Sequence, residues 1–268
     1  MSSYINYSEI FNNIDFIERG DIVYVISDIF NLVKIYREDF DVNVFLESLM
    51  TKVGKEGTIL IPTFNWDFCQ GKVFDYAKTK SQVGALGNAS LRRKDYKRTK
   101  HPIYSFCIWG RDKKKLCGID PKNSFGKGTV FEYLIENDAK ALVIDLPTMQ
   151  GMTILHHVEQ MIGVPFRFEK EFTAGYIDCE GEFSESTYSM YVRDYSFNAE
   201  ENTMPMNHIL ESLNISETAF INGIPFRGVR LREMALILEM DIKYNNCRNI
   251  YTYSGQKRRK VLTEKYIW

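Results

Sequence analysis

DIVYVI at residues 21–26 and GTILIP at residues 57–62 are two short apolar runs on either side of one amphipathic stretch, and together they decide the fold. The first is rich in β-branched residues and follows Gly20, the composition of a buried strand. Between the runs, Val42, Phe45, Leu46, Leu49, Met50 and Val53 recur at three- and four-residue steps. That spacing predicts a helix over residues 40–53, with Gly54 as its C-cap. Pro62 ends the second strand, because it has no N–H to give to a ladder. Strand, helix, strand over about 40 residues is a parallel crossover unit.

Further along, AKALVIDL at 139–146 predicts another strand, and a helix follows from Thr153 to about Met161. From Phe172 the pattern becomes alternating, with a turn at Cys179–Gly181, a strand-like Tyr188–Val192 and a helix near 230–239. The expected fold is α/β: a mixed, largely parallel sheet flanked by helices, with a second, more β-rich lobe. A soft boundary near Pro165 divides an α/β lobe at 1–165 from an α+β lobe at 166–268.

An apolar fraction of 44% and a charged fraction of 26% in 268 residues describe an ordered, enzyme-like body. The net charge of -1 gives no overall field to attract nucleic acid. Cys69, Cys107, Cys117, Cys179 and Cys247 are scattered and form no CxxC pair, so neither a disulfide framework nor a metal site is expected. The first residues carry acids within their apolar stretches, and no run approaches the roughly 18 apolar residues of a membrane span. The expected compartment is the cytoplasm, with no membrane partner. No Walker loop or dinucleotide fingerprint occurs, which leaves nucleoside triphosphate and NAD chemistry unsupported.

The chemistry gathers in TILHHVE, Thr153–Glu159. On a helix His156 and Glu159 share a face, so the carboxylate can fix the imidazole tautomer and stabilise its protonated form. A histidine of pKa near 6.5 suits the deprotonation of an amine nucleophile at neutral pH. The bland alternative is a helix-face histidine beside a solvated charge, and His157 leaves open which ring faces a substrate. Beyond the second strand, TFNWDFCQGKVFD offers Phe64, Trp66 and Phe68 as aromatic packing surfaces, and Asp67 and Asp75 as amine-orienting acids or loop caps. Arg92, Arg93, Lys94, Lys97, Arg98 and Lys100 concentrate positive charge, with Thr99, His101 and Ser105 as hydrogen-bonding neighbours. They suit phosphate groups, or form a solvated face. Cys107 sits in an apolar SFCIW run and reads as a core thiol, not a nucleophile.

Four segments in this order, GTILIPTF (57–64), QVGALGNASLRR (82–93), RTKHPIYSFCIWG (98–110) and TILHHVE (153–159), resemble the aminoglycoside 3-N-acetyltransferase-like family. The resemblance implies His156 as general base with Glu159 as its acidic partner, and acetyl-CoA or a longer acyl-CoA as donor, without a metal. It implies a donor site that includes Ser27, Gly84, Ala85, Arg92, Arg98, Thr99, His101 and Ser105. The family commonly has His-Ser-Ser-Leu where this chain has Ile26-Ser27-Asp28-Ile29, which puts one donor contact in doubt.

The near-neutral charge directs the expectation for the acceptor, and Arg193, Arg227, Arg230 and Arg232 in the second half could bind a pyrophosphate or equally pair with acids in the core. The expected reaction is N-acylation of a nucleoside-diphosphate-linked amino-deoxy sugar in O-antigen or other surface-polysaccharide biosynthesis. Phe64, Trp66, Asp67, Asp75, His157 and Arg193 are the candidate acceptor contacts, and the second lobe completes the site. The wording of the 62–75 and 101–106 segments resembles polysaccharide-pathway members of the family. The alternatives are aminoglycoside 3-N-acetylation and a catalytically silent binding protein of the same fold.

Overall fold

Ile22, Tyr24 and Ile26 enter one hydrophobic core while Val23 and Val25 enter another, so the strand they form, β1 (Ile22–Ser27), is buried on both faces. The computed structural model describes residues 5–253. After β1 the strands are β2 (Thr58–Pro62), β3 (Phe74–Asp75), β4 (Lys97–Arg98), β5 (Phe106–Gly110), β6 (Lys140–Ile144), β7 (Arg167–Ile177), β8 (Phe183–Arg193), β9 (Ala199–Glu201), β10 (Ser216–Ile221), β11 (Ile224–Arg230) and β12 (Tyr251–Tyr253). The helices are α1 (Phe30–Tyr36), α2 (Val42–Val53), α3 (Ala85–Leu91), α4 (Lys113–Gly118), α5 (Val130–Glu136), α6 (Ile154–Ile162), α7 (Met204–Ser212) and α8 (Leu231–Asn245).

The main sheet runs β10-β11-β6-β1-β2-β5-β4. Its centre is parallel, with β1 between β6 and β2, and antiparallel strands extend it on both sides. This is the expected mixed α/β sheet flanked by helices, accompanied by smaller β-sheets. The crossover helix α2 begins at Val42 because Asp41 caps it, its side chain accepting the Asn43 N–H at 2.7 Å. Phe45, Leu46, Leu49 and Val53 of α2 pack with Val23 and Val25. On the opposite face Phe131 and Leu134 of α5, Ile154 and Leu155 of α6, and Met234 and Leu238 of α8 pack with Tyr24.

Beyond Pro165 the chain leaves α6 for the long β7–β8 hairpin, which adds β3 to make a second sheet of order β3-β7-β8. It then returns to the main sheet, where β11 lies antiparallel on β6. The NGIPFRGVRLR segment forms β11 and the start of α8, and its arginines are engaged in the fold. Arg227 donates to Leu146 O at 2.6 Å, Arg230 pairs with Glu233 at 2.7 Å and Arg232 with Asp138 at 2.6 Å. Their reading as pyrophosphate ligands is replaced by these internal pairings.

Candidate active site

Parallel strands carry their C-terminal ends to one edge of the sheet, where open α/β folds hold ligands. Here β1 ends at Ser27, β2 at Pro62, and the loop after β6 leads through Gly151 and Thr153 into α6. Ser27, Pro62, Phe64, Trp66, Gly84, Gly151, Thr153 and His156 line one cavity of about 360 Å³. Its wall is drawn in tightly at Gly87, where an added Cβ would lie 2.4 Å from Pro62 O. A second cavity of about 540 Å³ is bounded by the face of the β7–β8 hairpin and includes Phe168, Lys170, Phe172, Met190 and Arg193. Trp66, Tyr104 and His156 line both, so His156 stands where the two meet.

The His156 ring is a quarter exposed, with side-chain accessibility of 25%, and its Nδ1 lies 2.9 Å from Glu159 Oε2. With the carboxylate at Nδ1, the Nδ1–H tautomer is favoured and Nε2 keeps its lone pair. Glu159 is fully buried beneath it. The Tyr251 hydroxyl donates to Glu159 Oε1 at 2.6 Å, and Arg167 Nε forms an ion pair with Oε2 at 2.7 Å, its N–H directed off the oxygen. Burial by itself would push the Glu159 pKa up; His156, Arg167 and Tyr251 outweigh it and hold the carboxyl below its ordinary value. Arg167 is fixed in turn by Tyr191 O and the Tyr251 hydroxyl, each at 3.3 Å.

His157 turns the other way. Its Nδ1 accepts the Gly126 N–H at 3.2 Å, burial pushes its pKa down to about 4, and it lines a separate hollow between α6 and α8. That hollow, about 910 Å³, is larger than the other two, but His156 does not line it. His157 is therefore not among the residues gathered around His156.

The structure also divides the other candidates. Ser27, Gly84, Phe64 and Trp66 join His156 in the first cavity, and Trp66 and Arg193 join it in the second. Arg98, Thr99, His101 and Ser105 are folded inside instead. Arg98 donates to Ser105 Oγ at 2.9 Å, Thr63 O at 3.1 Å and Thr79 O at 2.6 Å, and burial lowers its pKa to about 10. Thr99 Oγ1 accepts the Phe106 N–H at 2.9 Å. His101 Nδ1 accepts the Ile103 and Tyr104 N–H groups, and burial lowers its pKa to about 3. These four brace the β4–β5 hairpin and the Thr63 turn, which removes them from contact with a phosphate. Ala85 and Arg92 are exposed at the two ends of α3, outside both cavities. Asp75 caps its own loop through the Ala77 N–H at 3.0 Å, and Asp67 pairs with Lys72 at 2.9 Å. Asp28, at the departure from the family's serine pair, accepts the Phe30 N–H at 2.8 Å.

Arg167, Tyr251 and Tyr104 were not singled out in the sequence. Arg167 opens a strand eight residues beyond Glu159 and Tyr251 lies 92 residues away, so no local spacing announces them. Cys107 is buried and its thiol pKa is pushed up to about 11, which suits a core thiol. Among the described residues no cluster of His, Cys, Asp and Glu is arranged to hold a metal ion, and no helix is long and apolar enough to cross a membrane.

A histidine–carboxylate pair on α6, at the meeting point of two cavities, suits proton transfer between two bound molecules, and the class of protein is the CoA-dependent N-acyltransferases. Residues 32–240 match the family model described as aminoglycoside 3-N-acetyltransferase, and the chain belongs to that family. Among solved structures, the aminoglycoside acetyltransferase AAC(3)-Xa has a TM-score of 0.74 at 19% identity, over 89% of this chain and 92% of that one. AAC-IIIb, solved as a binary complex with CoASH, has a TM-score of 0.75 at 15% identity, over 91% and 98%. YokD from Bacillus subtilis has a TM-score of 0.74 at 19% identity, over 93% and 97%. No curated protein matches the chain. These findings bear out acyl-CoA as co-substrate. They overturn the expected nucleoside-diphosphate-linked sugar and its polysaccharide pathway, because the matched family is described as aminoglycoside 3-N-acetyltransferase and AAC(3)-Xa as an aminoglycoside acetyltransferase. That expectation rested on arginines that the fold uses internally and on the wording of loop segments, which record backbone geometry as much as ligand contact.

Proposed function

We propose that the chain is an aminoglycoside 3-N-acetyltransferase that moves an acetyl group from acetyl-CoA directly to an acceptor amine. The observation that carries this reading is the position of His156 on the shared boundary of two cavities, with Nδ1 tied to Glu159 and no hydrogen bond to Nε2 among the described residues. The family match supports the acceptor class, and a related fold, AAC-VIa, is described as bound to sisomicin. In this reading the pantetheine arm and thioester occupy the first cavity, against Ser27, Gly84 and Gly151, and the amine enters through the second, between Trp66 and the β7–β8 hairpin.

The neutral amine nitrogen bonds to the thioester carbon, the C–S bond breaks, and the proton shed by nitrogen passes to His156 Nε2 and on to the departing sulfur. Buried Glu159, ionised and clamped by Arg167 and Tyr251, stabilises the imidazolium that forms. Direct transfer is favoured because the buried Cys107 thiol is held protonated at neutral pH and stands in neither cavity.

Thiol release from acetyl-CoA, measured against a panel of aminoglycosides, tests the reading. Release that requires both the amine and His156 supports it. No release with any aminoglycoside, from protein shown to bind acetyl-CoA, overturns it.

A further inference from the structure

The walls of the second cavity carry a charge that bears on which amines can enter. An aminoglycoside with four or more ammonium groups is drawn into a site by carboxylates. Here Glu201 is the one carboxylate lining the cavity among the described residues, and it is already paired with Arg193 at 3.5 Å. Glu159 lies below His156, and its charge is countered by Arg167 at 2.7 Å. With Arg193 and Arg167 taken up by these pairs, the remaining cation on the wall among the described residues is the exposed Lys170, whose Nζ sits 5.3 Å from the Phe172 ring centroid.

Strand geometry produces this arrangement. Successive side chains of β7 point to opposite faces, so Phe168, Lys170 and Phe172 line the cavity while Glu169 and Glu171 take the other side. The remaining surface on offer is aromatic: Phe168 is half exposed at 49%, and Trp66 and Tyr104 stand at the junction with His156. Aromatic faces pack against the C–H face of a sugar ring and need no charge to do so.

We infer that this site favours lightly charged amines, presenting one free amino group and an apolar ring face, over the most highly charged aminoglycosides, through Lys170. The inference rests on the N-acetyl transfer reading and narrows its acceptor.

The test uses one skeleton at two charges: kanamycin, and kanamycin acetylated at every amine except the 3-amino group, with glucosamine as a third ligand. Binding of each to the enzyme–CoA complex is measured by titration calorimetry at low and high salt, for wild type and Lys170→Glu. The expected result is about tenfold tighter binding of the singly charged derivative, with the gap shrinking at high salt and in Lys170→Glu. Tighter binding of unmodified kanamycin, weakening steeply with salt, overturns the inference and leaves the aminoglycoside reading standing. Binding of glucosamine alone removes the aminoglycoside reading and keeps the lightly charged acceptor. Binding of none of the three removes both.

Discussion

His156 and His157 are adjacent in sequence and face different hollows: the Nδ1 of His156 lies 2.9 Å from Glu159 Oε2, whereas that of His157 accepts the Gly126 N–H at 3.2 Å. One ring is placed to exchange protons with a ligand and the other to hold a loop. His156→Ala is expected to lower kcat by roughly 100-fold or more with little change in acetyl-CoA affinity, as loss of a general base does. His157→Asn, which keeps an acceptor for Gly126, is expected to stay within a few fold of wild type. The reverse pattern in steady-state kinetics would move the base by one residue.

Glu159→Gln leaves Arg167 as a buried cation without its counter-charge, a change that typically costs about 3–5 kcal/mol. The carboxyl titrates below its ordinary value of 4.5 in the folded chain, so its stabilisation is complete above that pH and is lost as pH falls through the lower folded value. Urea unfolding should therefore show a large gap between wild type and Glu159→Gln at pH 7 that narrows as pH drops below 4.5. A gap constant with pH would mean that the ionised carboxylate is not what stabilises this corner.

His157 has the opposite sense from a histidine that gains a partner. Its folded pKa is lowered from 6.5 to about 4, so between those values the unfolded chain takes up the proton first and stability falls with falling pH. His101, lowered to about 3, adds to the same trend. His157→Asn should lose less stability than wild type between pH 6.5 and pH 4, read from urea midpoints. Parallel curves for the two proteins would rule out the buried neutral imidazole as a source of acid sensitivity.

Arg98 holds the Thr63 and Thr79 carbonyls and packs its guanidinium 4.6 Å from the Phe74 ring centroid. Arg98→Met removes these donors and takes from the Thr79 carbonyl its 2.6 Å partner, while Thr63 O keeps the Ser105 hydroxyl at 3.0 Å, for an expected loss of about 1–3 kcal/mol. Thermal unfolding checks it, alongside the KM for acetyl-CoA measured where the variant is still folded. A KM raised tenfold with stability intact would return Arg98 to the phosphate role that its sequence neighbourhood suggests.

Tyr24 lines the first cavity with its hydroxyl buried and without a well-formed hydrogen bond; the Thr153 hydroxyl beside it is directed to Gly151 O at 3.3 Å. An orphaned buried hydroxyl costs about 1–3 kcal/mol, so Tyr24→Phe is expected to raise the melting temperature by a few degrees. A lower melting temperature would show that the hydroxyl has a partner in solution.

The parallel centre was legible in the sequence because β1, β2 and β6 are unbroken apolar runs, the pattern of strands covered on both faces. The pairing of His156 with Glu159 was legible because three residues along a helix fixes a shared face whatever surrounds it. The basic run was not. Nothing in its composition tells that β4 and β5 turn Arg98, Thr99, His101 and Ser105 inward while Ala85 and Arg92 stay at the surface. The second half was legible only as alternation. Whether β11 pairs within its own lobe or returns to β6 depends on contacts across about 80 residues, which no window along the chain contains.

The alternation along β7 gives the enzyme a separable design. Phe168, Lys170 and Phe172 form one wall of the second cavity, while His156, Glu159, Arg167 and Tyr251 sit on α6, at the foot of the hairpin and on β12. A change at any of these three positions recolours the wall without moving the imidazole, and the intervening Glu169 and Glu171 already place carboxylates one residue out of phase. New acceptor ranges are thus within reach of single substitutions, a route by which descendants of one scaffold can diverge in the amines they modify while keeping the same chemistry.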